Sequence, residues 1–250
     1  MLDTRERLEL LRPNASEIQR NALGSPPAPS FAEALSGPGL SVIAEVKRRS
    51  PSRGELATDL DPVDQSKRYV DGGAAAISVL TEPVHFHGSN GDLGSVRRSV
   101  DVPILRKDFT LDPLQIWEAR AIGASAVLLI AAILDDQTLN TLMMSAAEAG
   151  LDAVVEVHSV AEAERALALN PRIVGVNNRD LDTFEVDLST GEKVAPMLMD
   201  VPITIGESGI HTPDDAQRML DAGFDAVLVG ESLVRSDDPA SLIRSLRALS

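Results

Sequence analysis

The sequence predicts an α/β protein, a (β/α)8 TIM barrel with an N-terminal helical extension. Residues 1–40 are expected to form the extension and residues 41–250 the barrel. Three observations predict it. Eight short apolar, β-branched runs recur along the chain and start 20 to 34 residues apart. Most gaps between them hold a stretch with helical periodicity. The length of 250 residues suits one such barrel. Strands buried on both faces that alternate with helices imply a parallel sheet. An open doubly wound sheet usually has fewer units and a Gly-rich turn after its first strand, and "KRRSPSRG" is not that turn.

Before the first strand, "ASEIQRNAL" reads as a helix, "GSPPAPS" as a stiff break and "FAEALS" as a short helical turn. The first strand is "SVIAEV" from Ser41, and Glu45 and Lys47 point to one side of it. The second is "AAISVL" from Ala75 and the third "VPILRK" from Val102. "DPLQIWEARAIG" follows as a helix with Leu114, Trp117 and Ala121 on one stripe. The fourth strand is "SAVLLI" from Ser125, the fifth "DAVVEV" from Asp152, the sixth "RIVGVN" from Arg172 and the seventh "VPITIG" from Val201. In "TPDDAQRMLDAG", Thr212 is the N-cap, Pro213 sits just inside the helix and Gly223 stops it. The eighth strand is "DAVLVG" from Asp225. The "GESLVR" after it is too short for an outer-ring helix. Trp117 and Phe224 read as packing residues.

The formal net charge of −15 argues against a nucleic-acid or anionic-membrane partner. The absence of cysteine excludes disulfides, thiolate metal sites and a Cys nucleophile. No run approaches the roughly 18 apolar residues of a membrane span, and "MLDTRERLELLRP" lacks the apolar core of a signal peptide. A cytoplasmic protein is expected.

In a barrel of this kind the chemistry sits at the C-terminal strand ends and the loops beyond them. There the chain places Glu45, Lys47, Lys107, Glu156, Asn177, Arg179, Glu207, Ser208, Gly230 and Glu231. Carboxylates and lysines crowded in a partly desolvated mouth have their pKa values pushed apart, as general acid/base work requires. In "ESGIHTPDD" and "GESLVRSDDP" a Gly precedes a helix start, the arrangement with which barrels hold phosphate on backbone N–H groups. Arg49 and Ser50 in the first loop offer a cation and a hydroxyl to the same anion. "HFH" at 85–87 is a weak metal signal without a third ligand. His158, two residues past Glu156, reads as a hydrogen-bonded neighbour of it.

These strings together resemble one family, indole-3-glycerol phosphate synthase. The matching stretches are "IAEVKRRSPSRG", "AISVLTE", "HGSNGDL", "PILRKDF", "QIWEARAIGASAVLLI", "VVEVH", "VNNRDLDTFEVDL", "ESGI" and "LVGESLVR", in order from about residue 41 to residue 239. The resemblance implies ring closure of 1-(2-carboxyphenylamino)-1-deoxyribulose 5-phosphate, with loss of carbon dioxide and water, in tryptophan biosynthesis. It implies that Lys107 is the general acid at the substrate carbonyl and that Lys47 lies near the substrate carboxylate or serves dehydration. Glu156 stabilises the charged intermediate or moves a proton, and Glu45 is a base or orienting group. Asn177, Arg179, Glu207 and Ser208 line the substrate site, and Ser50, Gly209, Gly230 and Glu231 the phosphate region. No cofactor or metal is implied, and the partner is a phosphorylated small molecule. A monomer is expected, alone or associated with other enzymes of the pathway. The family's extension covers the barrel mouth; residues 1–40 match it poorly apart from "PSFAEALSGPG", so no site residue is expected there. A competing isomerase reading fails on the missing cysteine base, and a non-catalytic relative finds no support in a chain that retains every expected acid and base.

Overall fold

A computed structural model describes residues 2–51, 54–57, 59–181 and 183–248, with Leu2 and Asp3 described by backbone alone. Eight parallel strands close into one barrel in chain order, the first pairing with both the second and the last. They are β1 (Ser41–Val46), β2 (Ala76–Leu80), β3 (Ile104–Lys107), β4 (Ala126–Ile130), β5 (Asp152–Val157), β6 (Ile173–Asn177), β7 (Ile203–Glu207) and β8 (Ala226–Val229). Each predicted run is a strand. Their alternating residues divide between two cores, because successive side chains point to opposite faces. Ile43, Leu105, Leu128, Val154, Ile203 and Ile205 fill the barrel interior. Val42, Ile77, Val127, Val155, Val174 and Val227 pack outward under the helices.

The helices are α1 (Leu2–Leu11), α2 (Ala15–Gly24), α3 (Phe31–Leu35), α4 (Pro62–Asp71), α5 (Asn90–Arg97), α6 (Pro113–Ala121), α7 (Asp136–Glu148), α8 (Val160–Leu167), α9 (Ser189–Val194), α10 (Pro213–Ala222), α11 (Glu231–Arg235) and α12 (Pro239–Arg247). Most outer helices start on a side-chain cap that satisfies N–H groups with no partner inside the helix. At α10, Thr212 and Asp215 form the reciprocal capping box, and Gly223 ends the helix at φ 98°. The short α11 and the full-length α12 separate as the sequence implied.

The extension begins beside the mouth and ends under the floor. Phe31, Ala32 and Leu35 of α3 are fully buried and join the interior core, so α3 plugs the bottom of the barrel. The carboxylate of Asp152, at the start of β5, accepts the N–H groups of Phe31 and Ala32 at 3.1 and 3.0 Å. From there α2 runs along α6, with Arg120 donating to the Ser25 carbonyl. Helix α1 reaches the rim, where Arg7 pairs with Asp108 at 2.8 Å. This cover explains why α6 buries Gln115, Ile116, Trp117 and Ala119, more than the one expected stripe, while Leu114 and Ala121 are only half-buried. Among the described residues no helix is long and apolar enough to cross a membrane.

Candidate active site

The C-terminal strand ends surround a cavity of about 440 Å³. Every site residue that the family resemblance implies lines it: Glu45, Lys47, Ser50, Lys107, Glu156, Asn177, Arg179, Glu207, Ser208, Gly209, Gly230 and Glu231. Register accounts for the convergence. Asn177 on β6 lies beside Glu207 on β7, and Ile130 on β4 beside Glu156 on β5, so side chains from neighbouring strands enter at one height.

At the centre, Lys107 crosses from β3 to two carboxylates. Its ammonium donates to Glu156 Oε2 at 2.8 Å and to Glu207 Oε2. The other oxygen of Glu156 accepts from Asn177 Nδ2 at 3.2 Å and lies 3.1 Å from His158 Nε2. His158 is held in turn by Glu162, which takes its backbone N–H and faces its Nδ1. The carboxylates are nearly inaccessible and Lys107 mostly so.

Burial opposes the charge on Lys107, but Glu156, Glu207 and Glu45 outweigh it and raise its pKa. Burial also favours neutral Glu156, yet Lys107 and His158 hold it well below the usual carboxylate range. Glu207 goes the other way. Burial, with Glu156 beside it, prevails over Lys107 and lifts it towards about 7. One ammonium faces two buried carboxylates, and the two are pushed apart, Glu156 downward and Glu207 upward. His158 rises to about 9, since Glu156 and Glu162 overcome the cost of its burial.

A second pair stands across the mouth. Lys47 donates to Glu45 Oε1, and Tyr69 OH donates at 3.2 Å to the Glu45 carbonyl from the buried layer behind β1. The loop after β1 folds back, Arg49–Ser50 pairing antiparallel with Gly54–Glu55, and leaves Ser50 buried against the cavity. Ser52 and Arg53 of that loop lie outside the described residues. Arg49 reaches His87 Nε2 at 3.1 Å and does not line the cavity, so its expected role at the anion is not carried by this arrangement. After β7 the chain turns on two left-handed residues, Ser208 at φ 63° and Gly209 at φ 84°. Arg179 donates to the Phe184 carbonyl and thereby fastens the loop after β6.

Sequence reasoning missed two buried acids and an apolar wall. Glu82 accepts the N–H groups of Val84, His85 and Phe86 and so shapes the loop after β2. Asp108 takes Thr81 Oγ1, its neighbour's N–H at Phe109, and Arg7. Phe86, Phe109, Leu128, Ile130, Leu181 and Phe184 supply a surface for a flat ring. Only "RKDF", with an acid and an aromatic next to Lys107, carried a local hint of this. His85 lines the cavity and His87 does not, and among the described residues no group of three potential ligands forms a metal site.

The family model described as indole-3-glycerol phosphate synthase matches residues 3–246. The chain is 52% identical over 220 residues to the indole-3-glycerol phosphate synthase of a Nocardioides species, covering 88% of this chain and 83% of that protein. It is 48% identical over 231 residues to the protein of that name from Mycobacterium avium, covering 92% and 85%. Among solved structures it resembles a 3-hexulose-6-phosphate synthase (TM-score 0.64, 17% identity, 84% of this chain and 99% of that one). It also resembles thiamine phosphate pyrophosphorylase from Pyrococcus furiosus (TM-score 0.62, 18% identity, 84% and 94%). These last two show the barrel fold alone.

Proposed function

The chain belongs to the indole-3-glycerol phosphate synthase family, and from that premise we propose how its side chains divide the reaction. It is a carboxy-lyase of tryptophan biosynthesis that closes the ring of 1-(2-carboxyphenylamino)-1-deoxyribulose 5-phosphate, with loss of carbon dioxide and water. In our reading the observation that carries the division of labour is Lys107 held between Glu156 and Glu207.

Attack of the ring carbon on the ketone builds negative charge on the carbonyl oxygen, which must be neutralised as it forms. Lys107, fully charged at neutral pH, donates its proton there. Ring closure leaves an electron-poor iminium, and expulsion of carbon dioxide returns electrons to it and restores aromaticity. Glu156, anionic throughout, stabilises that cation. Dehydration then needs an acid at the departing hydroxyl and a base for the last ring proton, roles assigned to Lys47 and Glu45. Glu207, able to hold a proton near neutrality, returns one to Lys107. This chemistry carries its own electron sink and calls for no metal or organic cofactor.

The aromatic ring of the substrate lies on the apolar wall, with Asn177, Arg179 and Ser208 along the chain of hydroxyls. The phosphate is held by Ser50 and by the backbone at Gly209, Gly230 and Glu231. In this reading residues 1–40 support the barrel rather than touch substrate, and the enzyme works as a cytoplasmic monomer, free or associated with other pathway enzymes. Incubation with the carboxyphenylamino substrate, without added metal, is expected to give indole fluorescence that Lys107→Ala abolishes. An inactive wild-type protein, or a Lys107→Ala variant that retains most turnover, overturns the reading.

A further inference from the structure

The mouth contains an oxygen that its proposed roles leave unexplained. Glu207 Oε1 is buried and has no hydrogen-bond partner among the described residues, while Oε2 of the same carboxyl meets Lys107. Oε1 does not point into open space. It lies over Gly175 on β6, the strand between those carrying Glu156 and Glu207. Gly175 is paired in register with Glu156, two residues below the Asn177–Glu207 pair. A Cβ at 175 would stand 2.2 Å from Glu207 Oε1, 3.3 Å from its Cδ and 3.4 Å from Val154 Cγ1. Gly175 does not have positive φ, so alanine suits its backbone. The missing side chain serves the carboxyl and not the chain path.

We infer that Gly175 is a positioning residue for the reaction: its bare Cα is the socket in which Glu207 lies so that this carboxyl and Glu156 both reach Lys107. A side chain there would take the space of the Glu207 carboxyl, which approaches from β7. The same device recurs across the mouth. A Cβ at Gly230 would come within 2.5 Å of Glu45 Oε1 and 3.2 Å of Lys47 Nζ. Each lysine–carboxylate pair thus rests against a glycine of another element, Gly175 within β6 and Gly230 at the start of α11. Gly230 also belongs to the proposed phosphate region, so Gly175 is the position that tests the idea cleanly.

The inference rests on the reaction proposed above. Three variants are compared with wild type: Gly175→Ala, Glu207→Ala and the double variant. The steric conflict falls on the far end of a side chain and not on backbone, so Gly175→Ala should still unfold cooperatively, with a melting temperature below that of wild type because the buried Glu207–Lys107 pair is disturbed. Its kcat should fall at least tenfold with KM within threefold, because the displaced group, although it lines the substrate site, acts chiefly through Lys107 on the chemistry. In the Glu207→Ala background there is no carboxyl to displace, and adding Gly175→Ala should change kcat less than twofold. Equal losses in both backgrounds, an unaffected single variant, or a variant that cannot fold would each overturn the inference. If wild type itself makes no product, it is the proposed reaction that fails.

Discussion

Replacing Lys107 by methionine removes the central ammonium and keeps most of the side chain's volume. Glu156 and Glu207, each 2% exposed, then face each other with only His158, on the far oxygen of Glu156, left as a cation. In the wild type Glu207 is already raised towards about 7 by burial and by Glu156 beside it. In the variant Glu156 loses Lys107 too and, with His158 its remaining cation, is pushed upward towards taking up a proton. For a carboxyl with an ordinary value of 4.5, taking up a proton at pH 7 costs about 2.5 × 1.36, or about 3 kcal/mol. Breaking a buried ion pair from one side costs about 3–5 kcal/mol, the same range.

The sign follows from the raised value of that carboxyl in the folded variant. Its contribution is fully present below the unfolded value and is lost as pH rises towards the folded one. The stability deficit against wild type should therefore be small near pH 5 and grow by about 1.4 kcal/mol per pH unit to about 3 kcal/mol near pH 7. Urea unfolding of both proteins at pH 5, 6 and 7, followed by circular dichroism, measures it, and product formation is assayed in parallel. A deficit that does not vary with pH would refute the view that two carboxylates share this one cation.

Asp152→Ala removes the acceptor of two N–H groups at the start of α3 and should cost about 2–3 kcal/mol in urea unfolding. Turnover should stay within twofold, since the plug lies at the opposite end from the mouth; unchanged stability would show that α3 is not held this way. His158→Gln removes a cation whose pKa is raised from 6.5 to about 9, so the stability it supplies is full below 6.5 and lost as pH rises through about 9. The gap to wild type, of order 2 kcal/mol after allowance for partial exposure, should close over that window; a gap constant in pH would mean that the imidazole only fills space.

Strands were legible because a strand covered on both faces is a continuous apolar run whatever its partners, and "SAVLLI" or "AAISVL" needs no context to be recognised. The rim acids and lysines were legible for the opposite reason: Glu45, Glu156 and Glu207 interrupt or end such runs. What stayed hidden depends on distant partners. "FAEALS" shows a short helix, but the group that fixes it as a floor plug is Asp152, 120 residues away. Nothing local separates Glu82, which binds three N–H groups of its own loop, from a solvated acid. Gly175 looks like a weak point in a strand. Its meaning comes from a carboxyl on the next strand, and no single-strand pattern contains that.

The arrangement also bears on how so acidic a protein can take an anionic substrate. Lys47 and Lys107 are answered by Glu45, Glu156 and Glu207, so the catalytic side of the mouth has no surplus of positive charge with which to attract a phosphate. In the proposed reaction the phosphate is held by neutral donors, Ser50 and the backbone N–H groups at Gly209 and Gly230, while Arg179 is a further cation that lines the cavity. Under that proposal, holding the phosphate with dipoles leaves the lysines committed to their carboxylates, and this sets when they act. A lysine so stabilised as a cation is a poor acid towards a ketone at rest. It becomes a competent one only when an alkoxide, far more basic than the ketone, forms within reach. The proton then moves as the charge develops, and the interaction is stronger in the transition state than in the ground state, as rate enhancement requires.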